Sequence, residues 1–146
     1  MRVLFVCSGN ICRSPTAEAV MRRLVDEAGL TGEIVVDGAG TGSWHVGDPP
    51  DPRATKAAAR RDIRLTGTAR QVDPSDFETF DLILAVDEEN LERLQKLAPA
   101  GSGAQVGLLD GRDVPDPYYG GPDGFDLVLD QIVAACSRLL DELRQG

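Results

Sequence analysis

Three cysteines and a single histidine restrict the covalent chemistry open to this chain, and one cysteine stands where such chemistry is favoured. Cys7-Ser8-Gly9-Asn10-Ile11-Cys12-Arg13-Ser14 follows a short apolar run and precedes a segment of helical periodicity. Between a strand and a helix, successive backbone N–H groups curl into a nest that faces an anion, and Gly9 permits the tight curvature. Cys7 and Arg13 bracket five residues. The closed loop then sets a thiol at its floor and a guanidinium fork beside it, a geometry suited to a tetrahedral phosphate. The positive field of the amides, the helix start and Arg13 favours the thiolate, the form in which cysteine attacks.

Competing chemistries fit less well. The lone His45 argues against a Cys-His or Ser-His pair. Zinc on Cys7, Cys12, Cys136 and His45 would need distant segments to converge without paired-ligand spacing, so neither metal nor cofactor is expected. The loop lacks the second glycine and the lysine of a Gly-x-x-x-x-Gly-Lys nucleotide loop. Gly38-Ala39-Gly40-Thr41-Gly42 follows an expected strand, yet Trp44 to Pro52 lacks helical periodicity, so these glycines read as turn formers rather than a dinucleotide fingerprint. Cys136 falls on the apolar stripe of the last helix and reads as a packed core thiol.

The loop needs rigid flanks. Arg2 to Val6 reads as a buried strand, and from Ser14-Pro15 a helix carries Ala17, Val20, Met21, Leu24, Val25 and Ala28 until Gly29 stops it. A second strand is expected at Glu33 to Asp37, a turn-rich stretch at Gly38 to Pro52, a helix at Arg53 to Arg61, and irregular chain from Asp62 to Asp76. Asp81 to Val86 and Gln105 to Leu109 read as strands, with a helix over Asp87 to Leu97 between them. After a Pro- and Gly-rich loop at Asp110 to Gly124, the last helix shows the stripe Phe125, Val128, Leu129, Ile132, Cys136, Leu139 and Leu143. This alternation predicts an α/β fold with right-handed crossovers and a parallel sheet covered by helices on both faces. Ligands gather at the carboxyl ends of such strands, where the loop after the first strand lies.

The 146 residues fit one domain, taken as 1–146. With 15 Lys and Arg against 24 Asp and Glu, the net charge of −9 argues against a nucleic-acid or anionic-membrane surface, so an anion must be gripped locally. No apolar run approaches the ~18 residues of a spanning helix, and Val3 to Val6 is too short for a signal-peptide core. Three cysteines are too few for a disulfide framework. A cytoplasmic protein without membrane or nucleic-acid partners is expected.

Val6-Cys7-Ser8-Gly9-Asn10-Ile11-Cys12-Arg13-Ser14-Pro15 with Ala17-Glu18 closely resembles the active-site signature of the low molecular weight protein tyrosine phosphatases. Trp44-His45-Val46-Gly47, Asp51-Pro52-Arg53-Ala54, Ala69-Arg70-Gln71, Asp76-Phe77 with Phe80-Asp81, Asp87-Glu88 with Asn90-Leu91, and Asp116-Pro117-Tyr118-Tyr119-Gly120 resemble family segments in the family's order. The resemblance implies a four-stranded parallel sheet flanked by helices, Cys7 as nucleophile, Arg13 as phosphate clamp and Asp116 as general acid. It also implies a pocket walled by Trp44, Tyr118 and Tyr119 and lined by Ser8, Ile11 and His45. The chain's one Trp and both Tyr fall in these two loops, which suits a flat phenyl phosphate better than a short phosphoserine.

The expected reaction is a double displacement. Cys7 attacks phosphorus while Arg13 and the loop amides hold the equatorial oxygens, and Asp116 protonates the leaving phenolate. Water, with Asp116 as base, then releases phosphate from the phosphocysteine, and Ser14 donates a hydrogen bond to the sulfur. The substrates would be phosphotyrosine proteins or peptides, the product inorganic phosphate, and the enzyme a monomer. Peroxide oxidation of Cys7, resolved by Cys12, would add redox control. Two departures accompany the resemblance. The family commonly has Ser where Gly38 stands and His where Gly67 stands, so that only Asn10 and Ser14 remain of the network buttressing the loop. Many members carry a basic residue where Asp48 stands, and the acid makes the rim more negative.

Two rivals share the scaffold. An arsenate reductase would need a thiol relay, for which only Cys136, on a buried stripe, remains beyond Cys12. Protein-arginine phosphatases tend to have Thr where Ile11 stands. A noncatalytic phosphotyrosine-binding module would need neither a reactive Cys7 nor Asp116.

Overall fold

In a sheet covered on both faces, successive side chains of a strand enter different cores. The computed structural model, which describes residues 1–117, 121 and 123–145, shows this in β1 (Arg2–Cys7). Its Val3, Phe5 and Cys7 pack with residues of α1 (Arg13–Glu27), α2 (Pro52–Ala59) and α5 (Gly124–Gln145). Leu4 and Val6 pack instead with Phe77 of the short α3 (Asp76–Thr79) and Leu94 of α4 (Glu88–Leu97). With β2 (Val35–Gly40), β3 (Leu82–Ala85) and β4 (Gln105–Leu108), β1 forms a four-stranded sheet of order β2-β1-β3-β4. All three pairings are parallel. The chain leaves β1 toward β2 and later returns past it to β3, so the crevice of such a sheet opens between the carboxyl ends of β1 and β3.

The helices follow from local signals. Asp51 caps α2 by accepting the Arg53 N–H at 2.8 Å, with Pro52 in the first turn, and Asp87 caps α4 by accepting the Asn90 N–H at 2.9 Å. On α5 the stripe from Phe125 to Leu139 is buried and Leu143 is partly so. Cys136 lies in that stripe with its Sγ 3.8 Å from the Ala17 carbonyl of α1, and burial pushes its thiol up to about 12. No helix among the described residues is long and apolar enough to cross a membrane.

One sequence expectation needs correction. β2 runs to Gly40 rather than ending at Asp37, so Gly38 and Gly40 are strand residues and not turn formers. A Cβ on Gly40 would lie 2.9 Å from the Ser8 carbonyl oxygen, and one on Gly38 would lie 3.0 Å from Asn10 Nδ2. Glycine is what lets the loop after β1 lie against the neighbouring strand. The stretch after α2 is irregular, as expected, but backbone bonds tie it to the end of β2. The Gly40 N–H donates to Arg70 O and the Val72 N–H to Gly40 O, each at 2.8 Å, and the chain then enters α3.

Candidate active site

The chain turns out of β1 through Asn10, whose backbone is left-handed at φ 58°, a conformation asparagine tolerates better than most residues with a side chain. That turn aims the Asn10 N–H at Cys7 Sγ, 3.2 Å away. Ser14 Oγ lies 3.0 Å from the same sulfur. The Arg70 N–H, which can only donate, reaches Asn10 Oδ1 at 3.1 Å and so fixes the orientation of the carboxamide. Asn10 Nδ2 must then donate to Ser14 Oγ, at 2.7 Å. The Ser14 hydroxyl then has two neighbours for its own proton, the sulfur at 3.0 Å and the Ala39 carbonyl at 3.4 Å. The Asn10 N–H thus ends on Cys7 Sγ, and the Ser14 hydroxyl is placed to do the same whenever the sulfur acts as acceptor. α1 starts directly behind the loop with no side-chain cap on its first turn, which leaves its positive end beside the nest.

Arg13, the first residue of α1, is only 3% exposed. Its Nη1 donates to Asp87 Oδ2 at 2.7 Å and to the Val114 carbonyl at 2.9 Å, and its Nη2 donates to Ser8 Oγ at 3.3 Å. Asp116 Oδ2 stands 3.7 Å from the same Nη2. Asn90 supports this web, donating to Asp87 Oδ1 at 2.8 Å and to Ser8 Oγ at 3.3 Å while accepting from Thr41 Oγ1 at 2.7 Å. Burial works against an ionised Asp87, but the Asn90 N–H and the Arg13 guanidinium outweigh it and hold the carboxyl below the usual carboxylate range.

Above the sulfur lies a cleft of about 440 Å³. Cys7, Ser8, Gly9, Ile11, Cys12 and Arg13 form its floor, and Trp44, His45 and Asp116 stand around it. A Cβ on Gly9 would meet His45 Cδ2 at 2.8 Å, and one on Gly42 would fall within the Trp44 ring. Both glycines therefore let the 44–48 loop fold over the cleft. Asp48 Oδ2 lies 3.2 Å from His45 Nδ1, setting a carboxylate behind the histidine. Cys12 is buried, and burial together with the negative groups Asp51 and Cys7 pushes its thiol far above the ordinary range.

Of the residues singled out in the sequence, Asn10 and Ser14 lie behind the sulfur, and Tyr118 and Tyr119 lie outside the described residues. The others line one cleft. Sequence reasoning assigned no role to Asp87, Asn90, the Val114 carbonyl or the Arg70 N–H. Asp87 left a trace, an acid at the start of a helix that follows a buried strand, but nothing in it pointed to Arg13. Among the described residues, no group of three or more His, Cys, Asp or Glu is arranged to hold a metal ion.

A parallel sheet with a thiol cradled at the end of an inner strand, and a buried arginine beside it, defines an α/β protein with a nest suited to a tetrahedral oxyanion. The family model described as low molecular weight phosphotyrosine protein phosphatase matches residues 2–146, and the chain belongs to that family of phosphoric monoester hydrolases. It is 46% identical to a low molecular weight protein-tyrosine-phosphatase of Streptomyces coelicolor, over 99% of this chain and 94% of that one. The structure of a protein tyrosine phosphatase from Entamoeba histolytica with Hepes in its active site matches with a TM-score of 0.96 at 39% identity, covering 100% of this chain and 98% of that one. The structure of a Drosophila arginine phosphatase matches with a TM-score of 0.92 at 36% identity, over 98% of each chain.

Proposed function

We propose that the protein is a cytoplasmic protein tyrosine phosphatase that hydrolyses phosphotyrosine through a phosphocysteine intermediate. The observation that carries this reading is the sulfur of Cys7, which accepts the Asn10 N–H and lies 3.0 Å from Ser14 Oγ at the floor of an open cleft that Arg13 borders. Cys7 attacks phosphorus in line with the phenolate. The loop N–H groups and the free edge of the Arg13 guanidinium hold the equatorial oxygens, where charge gathers in the transition state. Asp116, on the rim beside Arg13, gives its proton to the leaving oxygen, then takes one from the water that opens the phosphocysteine. The Ser14 hydroxyl stabilises the thiolate as it departs. Trp44 flanks the substrate ring.

The test compares wild type with Cys7→Ser on phosphotyrosine, phosphoserine and phosphoarginine peptides, with arsenate reduction run alongside. Turnover of phosphotyrosine by the wild type alone, with phosphate or vanadate still bound by Cys7→Ser, is expected, because Arg13 and the amides grip the anion without the sulfur. Faster turnover of phosphoarginine would move the protein to the activity named for its Drosophila neighbour, and turnover by Cys7→Ser would remove the thiol from the mechanism.

A further inference from the structure

We infer that Arg70 is a positioning residue for Cys7, acting through the side chain of Asn10. The inference rests on the reading of Cys7 as the nucleophile. Asn10 meets the sulfur twice, by its own N–H at 3.2 Å and through Ser14, whose hydroxyl it holds by Nδ2 at 2.7 Å. The first contact requires the left-handed backbone, and the second requires one orientation of the carboxamide. The Arg70 N–H at Asn10 Oδ1 imposes that orientation from outside the loop.

Beside Asn10 the packing is incomplete. Gly38 and Gly67 present no side chains there, and a cavity of about 80 Å³ opens between them, bordered by Asn10, Glu18 and Arg70. The hydrogen bond therefore depends on how firmly residue 70 is fixed. Its carbonyl accepts from the Gly40 N–H at 2.8 Å, which ties it to the end of β2. Its guanidinium spans both oxygens of Asp76, with Nη1 3.0 Å from Oδ2 and Nη2 3.3 Å from Oδ1, and Nη2 also reaches Asp37 Oδ2 at 3.3 Å. Asp76 is 7% exposed, and its Oδ2 also accepts the Asp73 N–H at 2.8 Å, so the carboxylate is itself immobilised at the start of α3. A forked pair with a fixed carboxylate constrains direction as well as distance, which a lysine on the same stem would not do. The chain of contacts runs from α3 through Arg70 to Asn10, Ser14 and the sulfur.

The experiment measures the rate of Cys7 alkylation by iodoacetamide against pH, with the modified peptide identified by mass, beside kcat and KM on a phosphotyrosine peptide. Variants are Arg70→Met, Arg70→Lys, Asn10→Gly, which keeps the left-handed turn, and Arg70→Met with Asn10→Gly. Arg70→Met should move the alkylation midpoint to higher pH and lower kcat by about 3- to 10-fold with little change in KM. Arg70→Lys should recover part of both. The double variant should be no worse than Asn10→Gly alone, because Arg70 acts only through that carboxamide. An unchanged midpoint in folded Arg70→Met, or a double variant whose loss is the product of the two single losses, would overturn the inference. If Arg70→Met does not fold, Asp76→Asn loosens the same fork and is read in the same way. Alkylation reports on the thiol whatever the substrate, so a wild type inactive on phosphotyrosine would defeat the proposed function and still leave this comparison decisive.

Discussion

Asp87→Asn separates the anchoring of Arg13 from the chemistry it serves. The Arg13–Asp87 pair is 2.7 Å long, with side chains 3% and 16% exposed, so it is little screened by solvent. The asparagine must point its NH₂ either at Arg13 Nη1 or at the Asn90 donors, and in both cases a hydrogen bond becomes two donors facing each other. Removing one partner of a buried pair costs about 3–5 kcal/mol. The Val114 carbonyl and Ser8 Oγ still hold the guanidinium, and asparagine remains a good helix cap, so we expect about 2–3 kcal/mol. That corresponds to a fall in Tm of roughly 4–12 °C. With the guanidinium less firmly aimed, kcat/KM should drop about 10- to 100-fold. The pH dependence follows from the lowered value of the Asp87 carboxyl. Its stabilisation is complete above the ordinary carboxylate value of about 4 and is lost as pH falls through its own lower value. The stability gap between wild type and Asp87→Asn should therefore be constant near neutrality and close in acid. Thermal denaturation across pH and steady-state kinetics measure both quantities. A kcat/KM within about 2-fold of wild type would refute the anchoring argument, since an effect that small lies far below what loss of such a support produces. A gap independent of pH would show that the ionised carboxylate supplies nothing that asparagine does not replace.

Asp116→Asn should slow cleavage of phosphotyrosine about 100-fold or more, and slow an ester with an acidic leaving group far less, because only the first needs the proton; equal losses would take Asp116 out of that role. Peroxide should convert the Cys7 thiol to a sulfenic acid with release of water, and Cys12 should then close a disulfide with loss of a second water. Because burial and neighbouring negative groups push the Cys12 thiol up, closure should quicken as pH rises, and Cys12→Ser should lose the recovery that a thiol reductant gives the wild type. Equal recovery without a Cys7–Cys12 crosslink by mass spectrometry would leave Cys12 as packing. Gly38→Ser meets no backbone obstacle, but its Cβ would lie 3.0 Å from Asn10 Nδ2 and 3.2 Å from Glu18 Oε2. Once Asn10 yields by a few tenths of an ångström, the added hydroxyl should speed Cys7 alkylation or raise turnover, and an unchanged pH profile in a folded variant would make the position neutral. Any side chain at Gly67, whose φ is 84°, should instead cost about 1 kcal/mol, read as a lower Tm.

The strand, loop and helix around Cys7 are legible because each signal there is local: an apolar run, a glycine and an arginine at fixed spacing, then a change of period. The end of β2 is not. Gly38 and Gly40 carry no side chains to show alternation, and the reason they are glycines, the Ser8 carbonyl and Asn10 pressed against them, comes from another part of the chain. The four residues of α3 are too few to show a helical period. Asp87 reads as a helix cap whether or not an arginine arrives to meet it, and its second function exists only once β1 and β3 are neighbours. Asp116 needed the family resemblance, since an Asp-Pro in a glycine-rich turn is by itself an ordinary loop.

The anchors of Arg13 lie 74 and 101 residues beyond it, at Asp87 and Val114. At ordinary rates of synthesis Arg13 is joined to the chain about 5 to 20 s before Val114 is added. For most of that interval β3 and α4 have not been made, and until Val114 follows them the guanidinium lacks part of its support. The growing chain thus carries its cysteine without the supports that aim Arg13, and competence waits for the second half of the sheet to dock.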